Sequence, residues 1–431
     1  MKLLVVNAYV RENGGDAALL SVLLSQLKRA YPQAELSIAG MEGPADRPEF
    51  EGVPNIGSIR HYTSIESLSL PHRIMRKVLS LFVGEAWFVG PKGLWFALQP
   101  LLPREIRAEV AAIREADAVV ALGGGYLNGK NNAGGDLNVY YLLLPARLAE
   151  RLGKPVVFAP QSYGPFGNAK QERWARNVLN KTDFIMVREQ TSMEILAKLG
   201  VKAELLHKTV DSGFAFTVPP QPDVLAQYGV KTGEKVVGMT ARNWLAPEAQ
   251  AAYEKALAQT IDYIYKKYSM RVLLIPQVTS AFQADDDRIV EKRIAGYCDP
   301  ESNPIVVDEM VDHKTLKAMY GSLDYLIGTR FHSVIFGLTS WVPAIAIEYE
   351  HKTGGIMHDL GLDEWVLKIA SVNADDLNAL IDKLVAGREG YLQHLQDRLP
   401  TYIEQANEAP SLIKRVLENR GVASNQENQA Q

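Results

Sequence analysis

Cysteine is nearly missing from this chain: Cys298 is the only one in 431 residues. One thiol can form neither an intramolecular disulfide nor a cysteine-based zinc cluster, and it suits a reducing compartment. Net charge is small as well. Lys and Arg number 46 against 50 Asp and Glu, a formal −4, so no general basic field draws the chain to nucleic acid. Long apolar runs are lacking. Leu3-Leu4-Val5-Val6 stops after four residues, too short for the core of a secretory signal. The greasiest stretch, Val78 to Leu102, is broken by Gly84, Glu85, Gly90, Pro91, Lys92 and Gly93, which argues against a spanning helix. The expected location is the cytoplasm.

What is present is ordinary globular chemistry in quantity. Hydrophobic residues make up 47% of the chain and charged residues 22%, enough for two cores in a chain of this length. Short β-branched runs recur: Leu3–Val6, Ala118–Leu122, Val156–Ala159, Phe184–Val187, Val236–Met239, Val272–Ile275, Tyr325–Ile327 and Ala344–Ile347. Continuous apolar runs suit strands buried on both faces, hence parallel sheets. Amphipathic segments such as Ala17–Ala30, Leu137–Leu152 and Pro247–Lys267 lie between them, and the alternation predicts an α/β fold with helices outside the sheets.

Pro219-Pro220-Gln221-Pro222 reads as an extended linker. The expected layout is a first lobe over 1–218, a linker over 219–232 and a second lobe over 233–370. Helices over 371–421 are expected to pack back toward the first lobe, and the polar residues 422–431 to fray.

Open parallel sheets bind ligands at the carboxyl ends of their strands, and the unusual residues here crowd at those ends. Asn7 follows the first run, and Asn13-Gly14-Gly15-Asp16 then opens a helix. Asp16 is either a base toward a sugar hydroxyl or a helix cap. Gly123-Gly124-Gly125 lets a carboxylate or phosphate reach the main chain, or simply makes a tight turn. It lacks both the spaced dinucleotide fingerprint and a Gly-Lys-Ser/Thr ending. Arg188 ends the fourth run, where its fork suits an anion unless Glu189 neutralises it. The sharpest group is Gly328-Thr329-Arg330-Phe331-His332-Ser333. It sets a guanidinium and a histidine on one strand-end turn at a helix start, a place for an anion clamp and an acid. Asp285-Asp286-Asp287 contains an Asp-x-Asp, but it reads as acidic residues at a helix start and no metal is assigned.

In order and spacing these residues resemble the polysaccharide pyruvyltransferase family. The likeness runs through Asn7, Gly15-Asp16, Gly123-Gly124-Gly125, Gln161-Ser162-Tyr163-Gly164-Pro165, Arg188, Asp211-Ser212-Gly213 and Gly328-Thr329-Arg330-Phe331-His332. It closes on Tyr349-Glu350-His351-Lys352 and covers about residues 3 to 362. The resemblance implies two Rossmann-like lobes of GT-B type with the site in the cleft between them. It implies phosphoenolpyruvate as donor and a sugar diol, in a glycan or its lipid-linked precursor, as acceptor, with no metal or organic cofactor. Carried over by position, Arg188, Arg330, His332, Gly124 and Lys352 would hold phosphoenolpyruvate, and Asn7, Asp16, Gln161 and Ser162 would hold the acceptor. His332 would be the acid and Asp16 the base, and substituting Arg330 or His332 by alanine is expected to stop turnover without unfolding the chain. The alternatives are a GT-B glycosyltransferase using a nucleotide sugar, or a non-catalytic carbohydrate-binding protein.

Ser64–Leu102 is not part of that likeness, and within it Pro71–Leu102 stands out. Ile74, Val78, Leu81 and Phe82 recur at helical spacing beside Arg73, Arg76 and Lys77, and Trp87, Phe88, Leu94, Trp95 and Phe96 follow. The pattern fits a helix lying on the inner face of the membrane or one buried in the first lobe.

Overall fold

The computed structural model describes residues 1–8, 12–64, 69–89, 102–279 and 285–422. Tyr9, Leu94, Trp95, Phe96 and the tail beyond Val422 lie outside the described residues, as do the side chains of Trp87, Phe88 and His351. By internal contact the chain forms two units, 1–10 with 19–212 and 405–431, and 11–18 with 213–404.

The first unit is built on a seven-stranded sheet. Strands β1 (Lys2–Ala8) and β2 (Glu35–Gly40) come first, and β3 (Glu49–Phe50) and β4 (Val53–Pro54) form a separate antiparallel hairpin. The sheet continues with β5 (Ala118–Ala121), β6 (Gly124–Leu127), β7 (Val156–Tyr163), β8 (Phe184–Val187) and β9 (Leu206–Lys208). Its order is β2-β1-β5-β7-β8-β9, with β6 also paired to β7, and every pairing in it is parallel. The second unit holds β10 (Val236–Thr240), β11 (Arg271–Leu274), β12 (Ile305–Val306), β13 (Tyr325–Gly328), β14 (Ala344–Glu348) and β15 (Val366–Lys368). These run in the order β12-β11-β10-β13-β14-β15, also parallel throughout.

All eight runs read from the sequence are strands, and their side chains are buried because helices cover both faces. Edge strands β2, β9, β12 and β15 were not legible as apolar runs. Gly124–Leu127, read as a turn, is instead strand β6, held to β7 by the Gly124–Gln161 and Leu127–Tyr163 pairings.

In each sheet the chain order reverses once near the middle, between β1 and β5 and between β10 and β13. Such switch points open a crevice beyond the strand ends. Asn7 stands at the first, and Thr240 and Gly328, which are register partners, stand at the second.

The crossing between units falls at Ser212–Gly213, ahead of the proline cluster. Phe214 and Phe216 are already buried, and the Phe216 ring packs on His313 and Phe336. The helix Ala374–Ala386 and most of Arg388–Ala406 count with the second unit; Tyr391 there donates to Ala344 O at 2.9 Å. Residues 11–18 also count with the second unit. Gly14 N donates to Gln277 O at 3.0 Å and Thr279 N to Glu12 O at 2.7 Å.

Buried Glu109 is a titratable feature of the first core. Ile59 N donates to its Oε2 at 2.6 Å, yet burial pushes the carboxyl from 4.5 up to about 7. The folded state therefore keeps a proton that the unfolded chain releases, and stability falls as pH rises between those values. Glu109→Gln is expected to abolish that slope and to raise stability at pH 8 by about 3 kcal/mol. Urea denaturation of both proteins at pH 5 and pH 8 checks this; a wild-type curve that does not weaken between the two would overturn it.

Candidate active site

The second unit assembles its site at the ends of β10 and β13. Gly328 is required at the strand exit, since a Cβ there would lie 2.6 Å from Val334 Cγ2. Thr240 Oγ1 accepts from Thr329 N at 2.9 Å and from Arg330 N at 3.2 Å, and bonds Ser333 Oγ at 3.0 Å. The backbone that presents Arg330 is thereby tied to the neighbouring strand, and Arg330 becomes the N-cap residue of helix Phe331–Leu338.

Its guanidinium is engaged by two aspartates. Arg330 Nε reaches Asp287 Oδ1 at 3.1 Å and Oδ2 at 3.0 Å, and Nη2 reaches Asp285 Oδ1 at 3.1 Å. Burial works against the cation, but the Asp287 charge and hydrogen bonds outweigh it and hold the Arg330 pKa above its usual value. Asp287 also accepts from Gln277 N at 3.1 Å and Val278 N at 2.9 Å. Four residues on, Glu291 is fully buried. Burial first, and then the Asp287 charge, push its carboxyl well above the ordinary range.

The three acidic residues therefore divide their work. Asp286 caps helix Asp287–Tyr297 through Arg288 N at 3.1 Å, as the sequence suggested, whereas Asp287 and Asp285 serve Arg330. Asp285 is shared: Arg242 Nη2 lies 3.5 Å from its Oδ1. Arg242 lies against the Trp244 ring at 4.5 Å and the Tyr349 ring at 4.1 Å, two rings that themselves meet edge to face. Burial, and then the Arg330 charge, lower its pKa. Two guanidinium groups thus meet on one carboxylate whose side chain is 53% exposed.

Arg242 was not singled out from the sequence, although a signal existed. It stands two residues past Thr240 as Arg330 stands two past Gly328, and those two residues pair.

His332 occupies the first turn of its helix between the Phe331 and Phe336 rings, with centroids 5.1 and 6.2 Å away. Gly15 lies against it so closely that a Cβ on Gly15 would fall 2.1 Å from His332 Nδ1. Asn13, not Asp16, accepts the helix-start N–H groups, from Gly15 at 3.0 Å and Asp16 at 3.3 Å, while its Nδ2 donates to Asp16 Oδ2 at 2.9 Å. Asp16 is thus held at the third helical position as the reciprocal half of that cap. Lys352 pairs with Glu350 at 3.1 Å beyond β14.

The first unit brings together the other sequence-selected residues. Arg188 is buried, donates to Ser162 Oγ at 2.7 Å and pairs with Asp211; Glu189 instead accepts from Ser192 Oγ at 2.6 Å. Gln161 is fully buried, and neither atom of its amide finds a partner among the described residues. Asn7 adopts φ 59° and donates to Leu142 O at 2.9 Å. Gly124 adopts φ 138°, a conformation that favours glycine. Next to it, a Cβ on Gly123 would sit 2.2 Å from Pro160 O.

Two parallel-sheet units with polar groups at their switch points define a GT-B-type α/β protein. Solved structures of similar fold include the UDP-N-acetylglucosamine 2-epimerase of Neisseria meningitidis bound to UDP-N-acetylglucosamine, at a TM-score of 0.60 and 10% identity over 97% of this chain and 100% of that one. Anabaena HepE in complex with UDP-glucose matches at 0.58 and 14%, covering 98% of this chain and 100% of that one. Sucrose-phosphate synthase from Thermosynechococcus elongatus matches at 0.58 and 13%, over 97% and 100%. Residues 13–351 match the polysaccharide pyruvyl transferase family, and the chain belongs to it. It is also 24% identical to the amylovoran biosynthesis protein AmsJ of Erwinia amylovora, across 97% of this chain and 98% of that protein.

Proposed function

We propose that this transferase moves the enolpyruvyl carbon skeleton of phosphoenolpyruvate onto a sugar diol of a polysaccharide or its precursor, forming a pyruvate ketal and releasing phosphate. The observation that supports this reading is the meeting of Arg242 and Arg330 on the exposed Asp285 carboxylate. A compact donor with a carboxylate and a phosphate needs cations already in place. Here a displaceable carboxylate keeps two of them together, while Asp287 fixes the fork from behind. A water-exposed carboxylate is an inexpensive group to exchange for a ligand anion.

In the reaction the donor methylene carbon takes a proton, the first sugar hydroxyl adds at the central carbon, and the carbon–oxygen bond to phosphate breaks. The second hydroxyl then closes the ketal. Of the two hydroxyl protons, one balances the new methyl group and one leaves with phosphate. His332, on the first turn after Arg330, is proposed as the acid, and Asp16 as the base for the hydroxyl. Lys352 and the main chain at Gly124 remain proposed donor contacts. Asn7, Gln161 and Ser162 are proposed for the acceptor, the unpartnered amide of Gln161 having an NH2 that can donate and an oxygen that can accept. Arg188, already committed to Asp211, is proposed to hold Ser162 in position.

Phosphate release from phosphoenolpyruvate upon adding acidic bacterial exopolysaccharide stripped of its ketals tests the reading. Acceptor-dependent release with a pyruvate ketal in the product is expected. A second reading draws on the half-exposed Trp244 ring beside Tyr349, which offers a stacking face to a nucleoside, and on the similar fold of Anabaena HepE, solved in complex with UDP-glucose. Uridine diphosphate release from a nucleotide sugar, with none of phosphate from phosphoenolpyruvate, would select it.

A further inference from the structure

The helix Leu70–Val89 packs on the first unit through Leu81, which lies against its core. Ser80 is buried against Tyr141 Oη. Arg76 lies over the Tyr62 ring at 4.5 Å and donates to Tyr62 O at 3.3 Å. Ile74, Met75, Val78 and Phe82 instead stand 53%, 58%, 60% and 71% exposed. At 1.5 Å per residue these form one stripe about 12 Å long. Single exposed apolar residues are ordinary, but a contiguous apolar stripe along one helix face marks a surface that something covers.

A second feature adjoins it. One turn after Phe82, Glu85 pairs with Arg147 at 2.8 Å and forms part of the wall of a cavity of about 680 Å³. Arg147, Arg151, Arg173 and Lys181 line it against only Glu85 and Glu150, with Tyr140 and Trp174 as aromatic walls. Arg73 and Lys77, both half-buried on the same helix, flank the stripe. In a chain of formal charge −4, this face is locally and strongly positive.

We propose that this face docks on an anionic lipid bilayer, the stripe seating at the boundary of headgroups and acyl chains and the cavity receiving lipid phosphate. A second copy of the chain is a poorer occupant. A two-fold contact through the stripe would bring the same cationic flank and cavity toward themselves, whereas an anionic surface complements both features.

Flotation of the full chain with vesicles tests this. Vesicles of phosphatidylcholine with about a third phosphatidylglycerol are expected to carry the protein, and pure phosphatidylcholine to carry far less. Raising salt from about 0.01 to about 0.15 M should release much of it as screening grows. Phe82→Ser and, separately, Val78→Ser should each weaken binding about tenfold, and Arg151→Glu/Arg173→Glu should do likewise by charge. All these side chains lie on the surface or line the open cavity, and unchanged circular dichroism and melting will confirm that the variants fold. Absence of flotation at low salt, or flotation indifferent to the serine and glutamate variants, overturns the proposal. So does a concentration-dependent dimer by light scattering that Val78→Ser disperses, which would assign the stripe to a second copy.

Discussion

Arg330→Ala is expected to cost both turnover and fold stability. From the sequence, only turnover was expected to suffer, because the anion-binding role was visible and the counter-ion was not. The structure supplies the counter-ion. Asp287 is 1% exposed and reaches both Nε and Nη2 of Arg330, and removing one member of a buried pair typically costs about 3–5 kcal/mol. The stranded carboxylate then binds a proton more tightly in the folded chain than in the unfolded one. Its deficit is therefore largest at high pH and shrinks as pH falls toward the unfolded aspartate value near 3.9. Urea curves at pH 5 and pH 8 should show the alanine variant closer to wild type at the lower pH. Equal stability of the two proteins at pH 8 would show that the pair contributes nothing to the fold. Arg330→Lys keeps one charge but loses the fork that spans Asp287 and Asp285. It should recover part of the stability and little of the activity, with phosphate release still down about a hundredfold or more.

Those expectations also show what kind of information the chain hides. The strand ends were legible because buried parallel strands announce themselves as apolar runs, and the residues just past them are then conspicuous. Arg330 and His332 share a turn in the sequence itself, so their proximity needed no structure. Arg242 acquires its meaning only from pairings remote in sequence: Gly238 and Thr240 lie beside Leu326 and Gly328, and Tyr349 covers the guanidinium from the end of β14.

Asp285-Asp286-Asp287 is instructive for a different reason. Each acid is an equally good helix-start residue by type, and only the helix phase decides that Asp286 caps while Asp287 points into the core. Of the stripe read on Leu70–Val89, Ile74, Val78 and Phe82 are exposed while Leu81 packs against the core, because a period alone cannot say which way an apolar face points. The Asn13-Gly14-Gly15-Asp16 turn was read for its own chemistry. What the structure adds is that the missing side chain of Gly15 is space filled by His332.

Gly15→Ala is therefore expected to damage the proposed acid without touching a functional side chain directly. The added methyl would fall 2.1 Å from His332 Nδ1, 2.5 Å from Cγ and 2.9 Å from Cβ. The last of these contacts is with the root of the side chain, so swinging the ring tip aside does not relieve it. Either the imidazole leaves its place between Phe331 and Phe336 or the helix start backs away from it. Overpacking of this kind costs about 1–3 kcal/mol, partly offset by the roughly 0.5–1 kcal/mol that alanine gains over glycine in a helix. The net loss of stability should be modest. The loss of rate should not be, since a misplacement of about 1 Å in a reacting group costs on the order of a hundredfold. Gly14→Ala is the control. Its methyl would meet Leu316 Cδ1 at 2.4 Å, the far end of a flexible side chain, and it should retain most of the activity at a similar cost in stability. The double variant Gly15→Ala/His332→Ala separates packing from chemistry. Removing the imidazole makes room for the methyl, so stability should return toward that of His332→Ala alone, a coupling between neighbours that a double-mutant cycle measures directly. Phosphate release should stay at the level of the His332 variant. If Gly15→Ala were fully active, His332 would not need its observed position, and the proposed acid would have to be sought elsewhere in the second unit.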